Sequence, residues 1–136
     1  MPLKKLLLLY VLTVPVFFLI DMIWLGIVAK GFYRKYLGPF LSPQVKWGAA
    51  IIFYLLFIAG IIIFVVQPGL AKDSLGRTLV LGILFGLMTY ATYDLTNLAT
   101  LKDWPIIVVI VDILWGMVLS ASVGSISFLI ARRFLL

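Results

Sequence analysis

The sequence predicts an all-α fold: a bundle of four transmembrane helices with an interfacial loop segment between helices 1 and 2. Three observations predict it. Of the 136 residues, 65% are hydrophobic, far above the roughly 45–50% of a soluble globular domain. The apolar residues are gathered into four runs, each matching the about 20 residues a helix needs to cross hydrocarbon. All of the basic residues fall at the breaks between runs or near the chain ends, where they serve as headgroup anchors and topology signals. A single integral membrane domain over residues 1–136 is expected.

The first span runs from about Leu6 to Ala29. The Met-Pro-Leu-Lys-Lys start imitates a signal peptide, but the apolar run is too long for an h-region and lacks a small-residue cleavage signature. It is expected to stay as an anchor, with Pro15 as a point of kinking. The second span, about Trp47 to Val66, has no strongly polar side chain after Ala49 and can face lipid on every side. The third, about Thr78 to Leu101, is apolar at first and then carries Thr89-Tyr90-Ala91-Thr92-Tyr93-Asp94-Leu95-Thr96-Asn97, the most polar stretch within any span. The fourth, about Pro105 to Ala131, opens on a proline suited to a first helical turn.

The connections differ in kind. Lys102-Asp103-Trp104-Pro105 predicts a tight helical hairpin, and Gln67 to Arg77 a short polar turn. Lys30 to Lys46 interleaves aromatics with cations and is expected to lie in the headgroup layer. Within it, Arg34 and Lys35, flanked by Tyr33 and Tyr36, are candidates for contact with a phosphate headgroup, although plain anchoring is the commoner use of such a belt. Tyr10, Trp47 and Trp104 read as interface aromatics, and Asp73 and Asp103 as solvated loop acids. Four spans put both termini on one side. The basic residues divide almost evenly between the two sides, so they set no firm orientation, and the lean is toward cytoplasmic termini.

Composition narrows the chemistry. There is no Cys, hence no disulfide, thiol nucleophile or iron–sulfur ligand. There is no His, which removes the usual zinc and haem ligand and the usual general base. No cofactor and no resident metal is expected, although carboxylates alone can hold Mg²⁺ or Ca²⁺. The formal net charge of +6 sits at span ends rather than on a soluble face, so no nucleic-acid partner is expected.

Three acids lie inside apolar runs. Asp21 is nine residues before Lys30, Asp94 eight before Lys102, and Asp112 eight after Trp104. Those landmarks share one side of the membrane, so each acid lies roughly 12–14 Å below it at 1.5 Å per residue. Each acid also has a hydrogen-bonding residue three positions later: Trp24, Asn97 and Trp115. Positions three apart share a helix face, and indole and amide N–H groups donate to carboxylates. Intramembrane acids are costly and by default functional. Like charges in low dielectric cannot all stay ionised, so three acids that meet would titrate together.

The candidate ligand-binding residues are therefore Asp21, Asp94, Asp112, Asn97, Trp24, Trp115, Tyr90, Tyr93 and Thr96, with Thr92 close by. The reading they favour is a site for a proton, a cation or a small polar ligand, with a transport or relay role. One alternative is a membrane enzyme or accessory subunit of lipid metabolism, using one Asp as acid or base or all three to hold Mg²⁺. Another is a packing protein whose acids are interhelical ties. Small residues recur at helix-contact spacing, as Gly82 with Gly86 and as Gly116, Ser120 and Gly124. They suit ordinary helix packing first and a homo-oligomer face second. The bilayer itself is the other expected partner.

The string from Tyr90 to Leu101 with the following Lys102-Asp103-Trp104-Pro105, together with Asp21-x-x-Trp24-Leu25-Gly26, Gly31-Phe32-Tyr33 and Asp112-x-x-Trp115-Gly116, resembles a bacterial domain-of-unknown-function family of small polytopic membrane proteins. The resemblance spans most of the chain. It implies a four-helix integral membrane protein of the bacterial inner membrane, and it implies no reaction.

Overall fold

A computed structural model describes all residues, 1–136. It contains helices and no strands. Helix α1 runs Leu3–Val28, α3 Trp47–Ala71, α4 Leu75–Thr100 and α5 Ile106–Phe134, and each is long and apolar enough to cross a membrane. The short helix α2, Lys30–Leu37, followed by a single turn at Gly38–Phe40, lies between α1 and α3. The surface between the helix ends is lined with exposed large apolar side chains such as Leu7, Val11, Leu56, Phe64, Met88 and Leu114. In water that would be an aggregation surface; in a bilayer it is the lipid contact.

Two expected boundaries shift. The second span does not stop at Val66 but continues through Gln67–Ala71, so the polar turn shrinks to Lys72–Ser74. Pro68 has no N–H to give, and its ring crowds the carbonyl four residues back. The widened π-helical turn at Ile62–Val66, where the Gln67 N–H reaches back to the Ile62 carbonyl, takes up that mismatch and lets the helix run on. Helix α4 starts three residues early because Ser74 caps it, its Oγ accepting the Arg77 N–H at 3.0 Å. Asp73, in this turn, has φ 44 and pairs with exposed Arg132 at 3.2 Å.

The core sits where α1, α3 and α5 meet. Leu9, Phe17, Ile58, Val65, Leu119 and Phe128 are among its fully buried members. Thr13 and Ser127 tie α1 to α5 inside it, hydroxyl to hydroxyl at 2.9 Å. Helices α4 and α5 make the most extensive contact in the molecule, and glycine permits it. A Cβ on Gly86 would strike the Gly116 backbone, and one on Gly82 would come within 2.6 Å of the Ala121 Cα. The small-residue stripes are thus consumed within the chain. Helix α3 behaves differently. It meets α4 through its Ile62–Ala71 end and separates from it toward Trp47, with aromatic rings such as Phe57 and Phe85, 5.2 Å apart, bridging the gap.

Candidate functional site

All three acids that lie within the four long helices are buried: Asp94 is 0% exposed, Asp21 5% and Asp112 7%. They lie near the ends of α1, α4 and α5 on the side that carries α2. They do not form one cluster of three. The arrangement is two plus one.

The pair is Asp94 and Asp112. The α4–α5 glycine packing brings these helices so close that the two carboxyl groups are neighbours, with no hydrogen bond between them. Asp112 is otherwise well served: the Tyr33 hydroxyl donates to its Oδ1 at 2.5 Å. Asp94 is not. The Trp104 indole lies near it without completing a hydrogen bond, so both Asp94 oxygens and Trp104 Nε1 are buried without a partner. Unpaired buried acceptors of this kind are rare and costly.

The third acid, Asp21, is tied off. The Trp115 Nε1–H donates to its Oδ1 at 3.2 Å. The expectation that each donor serves the acid three residues before it is corrected here. Trp115 serves Asp21 across the helix interface and not Asp112. Trp24 donates to the Tyr33 hydroxyl at 3.1 Å and not to Asp21. Asn97 makes no hydrogen bond to Asp94, whose oxygens have no partner, and lies nearer Tyr93 on its own helix. Being three apart on a helix gives two side chains a common face, but their tips splay to neighbouring helices, where the acceptors are. The Trp24 and Trp115 rings themselves stack, with centroids 4.5 Å apart and 7° between planes. Helix α1 ends in a π-helical turn at Trp24–Val28, closed by the Ala29 N–H on the Trp24 carbonyl at 2.7 Å. Such turns recur at functional sites, and this one carries Trp24 and leads directly into α2.

The interfacial segment is more than an anchor. Helix α2 lays Tyr33 over Asp112, and Leu37 packs with Trp104, Val108 and Val109 in a small second core. Trp104, expected at the interface, is only 7% exposed. Burial, and then the adjacent Asp112 carboxylate, push the Tyr33 hydroxyl above its ordinary range, so it stays protonated and remains a donor. Arg34 and Lys35 point away on the exposed face of α2, where the Lys35 ammonium sits 5.2 Å from the Tyr36 ring.

A cavity of about 370 Å³ opens beside the pair, lined by Phe53 of α3, Thr89, Tyr90 and Tyr93 of α4, and Asp112 of α5. It occupies the gap where α3 diverges from α4. Tyr90 is held against Gly116, whose missing side chain makes room for the ring. Thr92 and Thr96 are not in it. Both are exposed, and their hydroxyls donate back to carbonyls of α4, of Met88 and Thr92 respectively.

Of the candidate residues, the structure brings Asp112, Tyr90 and Tyr93 to the cavity, with Asp94 beside Asp112, and it adds Phe53 and Thr89 in the lining and Tyr33 and Trp104 next to the acids. The polar Thr89–Asn97 stretch was a signal for Thr89. Tyr33 stood in the resemblance motif but carried no sign of the α5 residue it would meet.

Four apolar helices of membrane-crossing length, with acids buried between them, define a polytopic integral membrane protein. A family model described as "Predicted membrane protein (DUF2177)" matches residues 6–129. The chain belongs to that family. No curated protein and no solved structure matches it.

Proposed function

We propose that the Asp94–Asp112 pair is a proton-binding site within the membrane, of the kind used in proton relay or proton-coupled transport. One observation carries this reading: Asp94 is fully buried, neither of its oxygens has a partner, and Asp112 stands alongside. Two carboxylates in contact away from water repel strongly. One shared proton turns the repulsion into an O–H···O bond and supplies the missing partner. Asp112, which already receives the Tyr33 proton donor, suits the accepting role. Asp94 then suits the proton-carrying one.

The tie reading keeps support at Asp21, whose bond from Trp115 joins α1 to α5. Lipid chemistry has no comparable support, because neither Arg34 nor Lys35 lines the cavity.

Infrared difference spectroscopy on the protein in lipid nanodiscs tests the reading. A protonated carboxyl C=O band should be present at neutral pH and vanish in both Asp94→Asn and Asp112→Asn, while Asp21→Asn leaves it in place. If the native protein lacks the band, or if it survives both substitutions, the two acids share no proton.

A further inference from the structure

The cavity beside the acid pair has a chemistry of its own. We propose that it binds an amphiphilic organic ammonium, a primary or secondary amine carrying an apolar group, which enters sideways from the bilayer. This inference rests on the proposed site and names its ligand.

The walls select the charge. Phe53, Tyr90 and Tyr93 line the space with aromatic rings, and Asp112 is the only ionisable carboxyl in its lining. Ring faces and a carboxylate all attract a cation, the rings through their quadrupole and the acid through charge in a medium of low dielectric. An anion would meet the acid pair. A sugar would leave most of its hydroxyls unpaired against apolar walls, at a cost for each. A hydrated Mg²⁺ or Ca²⁺ needs several oxygen ligands, and the lining offers one carboxyl, one threonine hydroxyl and two phenols. The Thr89 hydroxyl proton is already given to the Phe85 carbonyl at 2.7 Å, so Thr89 presents an oxygen rather than a proton. N–H groups on the ligand therefore have acceptors to meet, which favours a protonated amine over a quaternary one.

The position selects the apolar part. Phe53 and Tyr93 are 51% and 55% exposed, and both belong to membrane-crossing helices. The mouth between α3 and α4 thus opens into hydrocarbon. The volume of about 370 Å³ lies in the range of small-molecule pockets, roughly 300–1,000 Å³. An ammonium on Asp112 supplies the positive charge that the shared proton otherwise provides, so binding should expel that proton to bulk water, one cation for one proton.

The probe is phenethylammonium, with 2-phenylethanol and 3-phenylpropionate as neutral and anionic controls. Binding is measured by calorimetry on the protein in lipid nanodiscs, with empty nanodiscs subtracted. The amine should bind saturably at one site and the controls should not. Asp112→Asn should weaken the amine about a hundredfold, as loss of one partner of a buried ion pair does. Phe53→Leu keeps an apolar, lipid-facing side chain and removes only the ring, so it decides the matter if the Asp112 variant does not fold. It should weaken the amine about three- to tenfold. Equal binding of the alcohol, no binding above empty discs, or an unchanged affinity in Phe53→Leu overturns the assignment. Buffers of differing ionisation heat report the proton. Amine binding without proton release, in a protein lacking the carboxyl band, would sink the shared-proton reading and leave the ligand class standing. A carboxyl band without amine binding would do the reverse.

Discussion

Asp21 and Asp94 are the same residue type, buried in membrane-crossing helices on the same side of the bundle, yet their surroundings are opposite. Asp21 receives an indole N–H from across the interface. Asp94 is more deeply buried and receives nothing, while a second acid stands beside it. The difference comes from packing partners. At Asp21, α1 meets the indole face of α5. At Asp94, glycines draw α4 close to α5, and another carboxyl becomes its neighbour. A buried acid with a donor is a fastening. A buried acid beside an acid is the position that the proposed proton would occupy.

The harshest way to break the contrast is to pry α4 from α5. Gly86→Leu forces side-chain atoms into the Gly116 backbone, which cannot yield as a flexible side chain would. Unfolding in mixed detergent should show a loss of about 3 kcal/mol or more. Asp94 and Asp112 should be driven apart even where the protein still folds, and the carboxyl band should then disappear.

Replacing each acid by Leu should then give opposite signs. Asp21→Leu strands the Trp115 N–H and should cost about 1–2 kcal/mol, near the upper end for interhelical hydrogen bonds in membranes. Asp94→Leu removes two unpartnered oxygens and should be neutral or stabilising by about 1–3 kcal/mol, while abolishing the carboxyl band. If both variants destabilise equally, Asp94 is a fastening too.

A gentler change sharpens the picture at the rim. Tyr33→Phe deletes the donor to Asp112 but keeps the ring that packs in the small core. A loss of about 1 kcal/mol is expected, with faster amide exchange confined to α2 and unchanged protection in the four long helices. Least of all should come from Arg132→Gln. Its exposed pair with Asp73 is worth at most about 0.5 kcal/mol, and the acid sites should not register the change.

What the sequence disclosed and what it withheld follow one physical line. Helix existence was legible because lipid imposes length and apolarity residue by residue. Depth was legible because a helix rises at a fixed rate, so counting from Lys30, Lys102 and Trp104 brought Asp21, Asp94 and Asp112 to one end of the bundle. Facing partners were not legible. Whether Trp115 turns to Asp112 or to Asp21 depends on where α1 lies, and nothing local to Trp115 encodes that. Tyr33 and Trp104 look like interface aromatics by composition, since the fold returns them to the core through partners far along the chain, Asp112 for Tyr33 and Leu37 and Phe40 for Trp104. The end of α3 was misplaced because the stretch from Gln67 reads as a polar turn, whereas a widened turn upstream of Pro68 lets the helix run on.

The separation of α3 from α4 toward Trp47 has a consequence for how the molecule samples its surroundings. The gap lies on the α2 side, and the opposite ends of those helices are packed shut. Whatever passes from bilayer to acid pair therefore comes from one monolayer only. In a membrane whose two leaflets differ in composition, the direction in which the chain is inserted would determine which set of lipophilic molecules it ever meets.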